Sequence, residues 1–80
     1  MRARVFITPK KGVLDPQGKA IEHSLHALGF PEVREVHQGK YLEVALEGLN
    51  RQQAEQHVDE MCRKLLANLV IEDYRFELED

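Results

Sequence analysis

Four histidines and one cysteine are the residues of this chain best suited to metal or nucleophilic chemistry. His23 and His26 stand three apart, a spacing that on a helix turns both rings toward one side. A metal site needs further ligands and groups to orient them, so these read as solvated helix histidines. His37 beside Gly39 reads as a turn residue rather than a base, and His57 stands alone. Cys62 lies within an apolar helical stripe and reads as a small core residue. A nucleophilic thiol would sit exposed at an electropositive helix start beside a histidine. Gly39-Lys40 is not a phosphate loop: no glycine stands five residues earlier, and Tyr41 follows where Ser or Thr is needed. Lys10, Lys11 and Gly12 precede a helix start, where an anion or a partner could be attracted. A phosphatase on this scaffold would need arginine in that loop, and an RNA-binding sheet would need paired aromatics on a basic face. Phe6 among acidic residues is neither.

The elements that would hold these residues are legible in the periodicity. Residues 2–8 alternate Ala3, Val5 and Ile7 against Arg4, Phe6 and Thr8, which predicts a strand ended by Pro9. Asp15-Pro16 is a helix start, since Asp caps free N–H groups and Pro at the first position loses none. Ile21, Leu25 and Leu28 follow at helical spacing, and Gly29 with Pro31 ends the run. Residues 33–47 are strand-like, with Val36, Leu42, Val44 and Leu46 on one parity. Gly39 breaks them into either a short hairpin or one long strand bent at a bulge.

Asn50 and Gln53 have capping-box spacing. Ala54, Val58, Met61, Cys62, Leu65 and Leu66 form the apolar stripe of a second helix, with Asp59–Arg63 and Glu60–Lys64 as outward pairs. Asn68 ends this helix, and Val70, Tyr74, Phe76 and Leu78 alternate along a last strand.

The order is β-α-β-β-α-β. Right-handed crossovers then place two helices on one face of an antiparallel sheet, the ferredoxin-like α+β plait. The other face would show Phe6, Tyr41, Ala45 and Ile71, an apolar set that wants cover from a second copy as a dimer or dimer of dimers.

Eighty residues make room for a single domain, 1–80, with a thin stability margin. No apolar run is long enough to span a membrane, no signal peptide follows Arg2 and Arg4, and a lone cysteine fits a reducing compartment, the cytoplasm. Residues 1–40 carry seven Lys/Arg against four Asp/Glu, and residues 41–80 carry four against ten. This polarity can steer a protein surface, while the overall charge of −3 argues against nucleic acid.

Three stretches then point to a family. Thr8–Ile21 (TPKKGVLDPQGKAI), Gly39-Lys40 and Leu65–Tyr74 (LLANLVIEDY) closely resemble the PurS family, in the same order and spacing over the whole chain. Leu69 departs from the family's usual proline after Asn68, which implies a less rigid turn there. The resemblance implies the small subunit of phosphoribosylformylglycinamidine (FGAM) synthase, a dimer that bridges a glutaminase subunit, PurQ, and a synthetase subunit, PurL. It implies that ATP and magnesium act on the synthetase and that this chain binds no cofactor and catalyses nothing alone. The residues expected at interfaces are Phe6, Lys10, Lys11, Gly12, Asp15, Gly39, Lys40, Tyr41 and Asn68. The competing reading is a regulatory plait with a metabolite at its dimer interface, supported by Gly12 and Asp15.

Overall fold

A computed structural model describes residues 1–80. Its elements are β1 (Arg2–Pro9), α1 (Pro16–Ala27), β2 (Lys40–Ala45), α2 (Arg51–Met61), a five-residue π-helical turn (Cys62–Leu66) and β3 (Glu72–Glu79). The sheet is antiparallel in the order β2-β1-β3, with Val5 opposite Leu42 on one side and Phe76 on the other. Alternation along β1 sends Ala3, Val5 and Ile7 to one face, where all three are fully buried. Val58 and Cys62 of α2 and Ala67 beyond it close this core. Leu42, Val44 and Leu46 flank it from the β2 side, and Tyr74, Phe76 and Leu78 from β3.

The frame is the α+β plait, with two differences from the sequence-based expectation. The sheet has three strands, because residues 33–39 form none. No turn interrupts the chain between Val33 and Ala45, and only Lys40–Ala45 form a strand, so neither the hairpin nor one long strand is present. Only the second half of the segment lies beside β1. The second difference concerns α1, which contributes no residue to the core. It packs instead on the extended segment that returns from it, and this pairing stands away from the sheet. The radius of gyration is accordingly 16.0 Å, against roughly 12 Å for a compact chain of this length.

Both helix starts follow from sequence. Asp15 Oδ1 accepts the Gly18 N–H at 3.0 Å with Pro16 in the first turn. Asn50 and Gln53 exchange both bonds of a capping box, at 2.8 and 3.1 Å. The end of α2 was less legible. The π turn closes with the Ala67 N–H on the Cys62 carbonyl at 3.0 Å, adding a residue to the turn. Leu65, expected in the apolar stripe, is thereby rotated outward and is 82% exposed. Val70, expected on the last strand, lies in the turn before β3 and is 81% exposed, with Ile71 in the same turn.

One polar contact fastens α2 to β3. The Tyr74 hydroxyl donates to Asp59 Oδ1 at 2.6 Å while Arg63 Nε donates to Oδ2 at 2.8 Å. The Tyr74 hydroxyl, with help from Arg63, holds the Asp59 carboxyl below the usual carboxylate range against the opposing effect of burial. The same bond raises the Tyr74 phenol. A carboxyl whose pKa falls on folding contributes stability at neutral pH that is lost as pH drops through its folded value. A phenol whose pKa rises on folding contributes stability that is lost as pH climbs past the ordinary phenol range. Urea midpoints should therefore fall at both extremes, and Tyr74→Phe should flatten both limbs. An unchanged pH profile in Tyr74→Phe would show that the bond does not couple to folding.

Candidate functional site

The residues with chemical potential do not converge. His26 Nε2 lies 2.6 Å from the Val33 carbonyl, and His37 pairs with Glu35 at 3.0 Å. No group of three His, Cys, Asp or Glu side chains is placed to hold a metal ion. Cys62 is fully buried, and desolvation, with the charge of Asp59, pushes its thiol up, away from the reactive thiolate. A groove of about 650 Å³ between the first loop and the returning segment is lined by Lys10, Lys11 and Lys19 but equally by Asp15, Glu22 and Glu35. Its charges balance, so it offers neither an anion nor a cation a preferred seat.

What the structure does bring together, at one end of the sheet, is Lys10, Lys11, Gly12, Lys40 and Asn68 of the residues expected at interfaces. After β1, Gly12 takes a left-handed φ of 83°, and the Val13 N–H closes on the Lys10 carbonyl at 3.2 Å. The Lys10 N–H donates to the Ile71 carbonyl at 2.8 Å, and its ammonium lies 3.4 Å from Asp73. The loop is thus tied to the turn that precedes β3. Lys11 is exposed and pairs with no acid.

That turn is built around Asn68. Its Oδ1 accepts the Val70 N–H at 3.1 Å, its carbonyl accepts from Ile71 and Glu72, and its own N–H donates to Glu72 Oε1 at 2.8 Å. These bonds fix the turn that carries Leu69. Lys40 Nζ reaches the Leu66 carbonyl at 3.5 Å and Glu72 at 3.7 Å, holding the π turn to β2. The result is an exposed apolar tip, Leu69, Val70 and Ile71, with Lys10, Lys11 and Lys40 on the elements around it. An apolar centre inside a polar rim is the anatomy of a protein–protein interface. The tip was missed from sequence because Val70 and Ile71 continue the parity pattern of a strand.

Asp15 and Gly39 are at the same end but are occupied by the fold. Asp15 Oδ2 accepts the Gln38 N–H at 2.8 Å, so this one carboxylate joins the start of α1 to the returning segment. These backbone bonds hold it below the usual carboxylate range. Gly39 presses on β1: a Cβ there would come within 2.2 Å of the Ile7 carbonyl oxygen. Phe6 and Tyr41 lie on the helix-free face with ring centroids 5.2 Å apart, and the Arg75 guanidinium covers the Phe6 ring at 3.9 Å. The rest of that face carries ion pairs, Arg4–Glu79 at 2.8 Å and Arg2–Glu43 at 3.1 Å. Of the apolar set expected there, Phe6, Tyr41 and Ala45 lie on this face, and Ile71 lies in the turn before β3.

Comparison with known proteins now fixes the lineage. The family model described as PurS, phosphoribosylformylglycinamidine (FGAM) synthase, matches residues 2–80. The chain belongs to the PurS family. It is 48% identical over 79 residues to phosphoribosylformylglycinamidine synthase subunit PurS of Bacillus subtilis, covering 99% of this chain and 93% of that one. The crystal structure of B. subtilis PurS matches with a TM-score of 0.90 over 99% of this chain and 98% of that one. A chain of the structure of PurLQS from Thermotoga maritima matches at 28% identity with a TM-score of 0.84, covering 95% and 93% of the two chains. No helix of this PurS-family chain is long and apolar enough to cross a membrane.

Proposed function

We propose that this chain is the non-catalytic assembly subunit of FGAM synthase, working in the cytoplasm in purine biosynthesis and bridging the glutaminase PurQ and the synthetase PurL. The carrying observation is the match to a chain within PurLQS of T. maritima along nearly the full length of both. The overall reaction joins formylglycinamide ribonucleotide, ATP, glutamine and water to give FGAM, ADP, phosphate and glutamate. The glutaminase frees ammonia from glutamine. The synthetase, holding ATP and magnesium, activates the formyl amide oxygen, and ammonia displaces phosphate. This chain's own residues fit neither ATP nor the metal: Gly39 is packed on β1 with Lys40 opening β2, and no carboxylate cluster forms. Its contribution is to hold the two catalytic subunits in register, which is positioning rather than bond chemistry. It does so as a dimer or dimer of dimers.

The surface proposed to dock on the larger subunits is the apolar tip with its lysine rim. Lys10→Glu with Lys11→Glu should weaken assembly by about tenfold or more at low salt, with a defect that shrinks as ionic strength rises. The isolated double variant should keep its fold, since both ammonium groups are solvent-exposed. Titration of labelled variant into the two larger subunits at two salt concentrations reads the effect. Wild-type affinity at low salt would remove the loop from the docking surface.

A further inference from the structure

The charges around the Leu69–Val70–Ile71 tip cancel in pairs, with one exception. The Lys10 ammonium is matched by Asp73 at 3.4 Å and the Lys40 ammonium by Glu72 at 3.7 Å. Away from the tip, Lys19 and Lys64 are matched by Glu22 and Glu60. Lys11 alone among the lysines has no acid partner, and it is exposed. The rim is therefore not the basic ring that three lysines would make, but a neutral ring with a single positive charge. Inside it Val70 is the most exposed residue, with Leu69 and Ile71 half-exposed on either side.

The tip is also fixed before it meets anything. Asn68 Oδ1 holds the Val70 N–H at 3.1 Å, Glu72 holds the Asn68 N–H at 2.8 Å, and the Ile71 carbonyl accepts the Lys10 N–H at 2.8 Å. A projection tied on both sides loses little conformational freedom when it is covered, so more of its burial converts to affinity. A projection fits a pocket, and the pocket's chemistry follows from the side chains: apolar walls for Leu69, Val70 and Ile71, and a carboxylate at the mouth for Lys11. A second copy does not meet this description, because tip against tip would set Lys11 against Lys11 across the two-fold axis. One cation beside three apolar side chains is likewise no seat for a phosphate, which takes several donors.

We infer that Val70 anchors this chain in an apolar pocket of a larger FGAM synthase subunit with an Asp or Glu at its mouth, and that Lys11 alone supplies the charge that recognises it. Lys10 and Lys40 keep the rest of the rim neutral by masking Asp73 and Glu72. The inference rests on the assembly reading above and names the partner's chemistry at that surface.

Labelled chain is titrated into the glutaminase and synthetase subunits together, at low and high salt. Asp73→Asn frees the Lys10 ammonium and should tighten binding about threefold at low salt, the worth of an exposed ion pair. Lys11→Gln should weaken binding about fivefold. Both effects should shrink at high salt. Val70→Asp should weaken binding about thirtyfold or more at either salt. Its circular dichroism in isolation should match wild type, because Val70 lies outside the core. The docking chemistry is overturned, with the assembly role left standing, if Asp73→Asn fails to tighten binding or if Lys11→Gln or Val70→Asp binds as wild type does. A wild-type chain that binds neither subunit overturns the assembly role itself, and this inference with it.

Discussion

Gly18→Ala should detach α1 from the segment that returns from it while leaving β1, β2, β3 and α2 folded. Helix propensity alone points the other way: alanine replaces glycine inside α1, and that swap in an exposed helix stabilises by about 1 kcal/mol. Packing decides against it. The new methyl would lie 2.0 Å from the Val36 carbonyl oxygen and 2.9 Å from its carbon, both backbone atoms that cannot rotate aside. Asp15 Oδ2, at 2.7 Å, is equally crowded, and it is the atom that binds the Gln38 N–H. The returning segment must therefore leave α1, at a cost of about 1–3 kcal/mol typical of forced overpacking. Since α1 supplies nothing to the core, the remaining fold should survive. Amide hydrogen exchange at Gln38 with circular dichroism reads both quantities. Wild-type protection of the Gln38 N–H and a raised melting temperature in Gly18→Ala would contradict the close approach of α1 and Val36.

Val58→Asp should unfold the chain. Val58 is fully buried in the cluster with Val5, Ile7 and Cys62, and no polar side chain is buried with it. An unpaired carboxylate there costs several kcal/mol, about 3–5 by analogy with broken buried ion pairs. A domain of this size has roughly 4–12 kcal/mol of stability in total. Phe6→Asp is the matching control on the opposite face. Phe6 is only half-buried, and the Arg75 guanidinium 3.9 Å from its ring would meet the new carboxylate with opposite charge. That variant should keep its fold with a modest loss. Equal collapse of both variants would mean that the helix-free face carries as much of the stability as the covered one.

The local elements were legible because each has a local cause. Asp15-Pro16 and the Asn50–Gln53 box write their helix starts within four residues, and the parity of Ala3, Val5 and Ile7 writes the buried face of β1. What could not be read depends on distant partners. Gly18 looks like a weak point in a helix until Val36 is seen against it. Residues 33–39 have strand composition, yet in the structure they pair with no strand. The π turn left no periodic signal, so Leu65 and Val70 were placed inward when they lie outward. At the candidate site, Lys10, Lys11, Lys40 and Asn68 stand out in the sequence only through the family resemblance, which says nothing of their being neighbours. The backbone bond from Lys10 to Ile71 that joins them spans distant parts of the chain.

The assembly role is tested most directly by the mass of the species formed when this chain is mixed with the FGAM synthase glutaminase and synthetase subunits, measured by light scattering during size exclusion. The account predicts one species containing all three chains, and its loss when this chain is left out. A glutaminase–synthetase complex of unchanged stability without it, or elution of this chain by itself from the full mixture, would contradict the account.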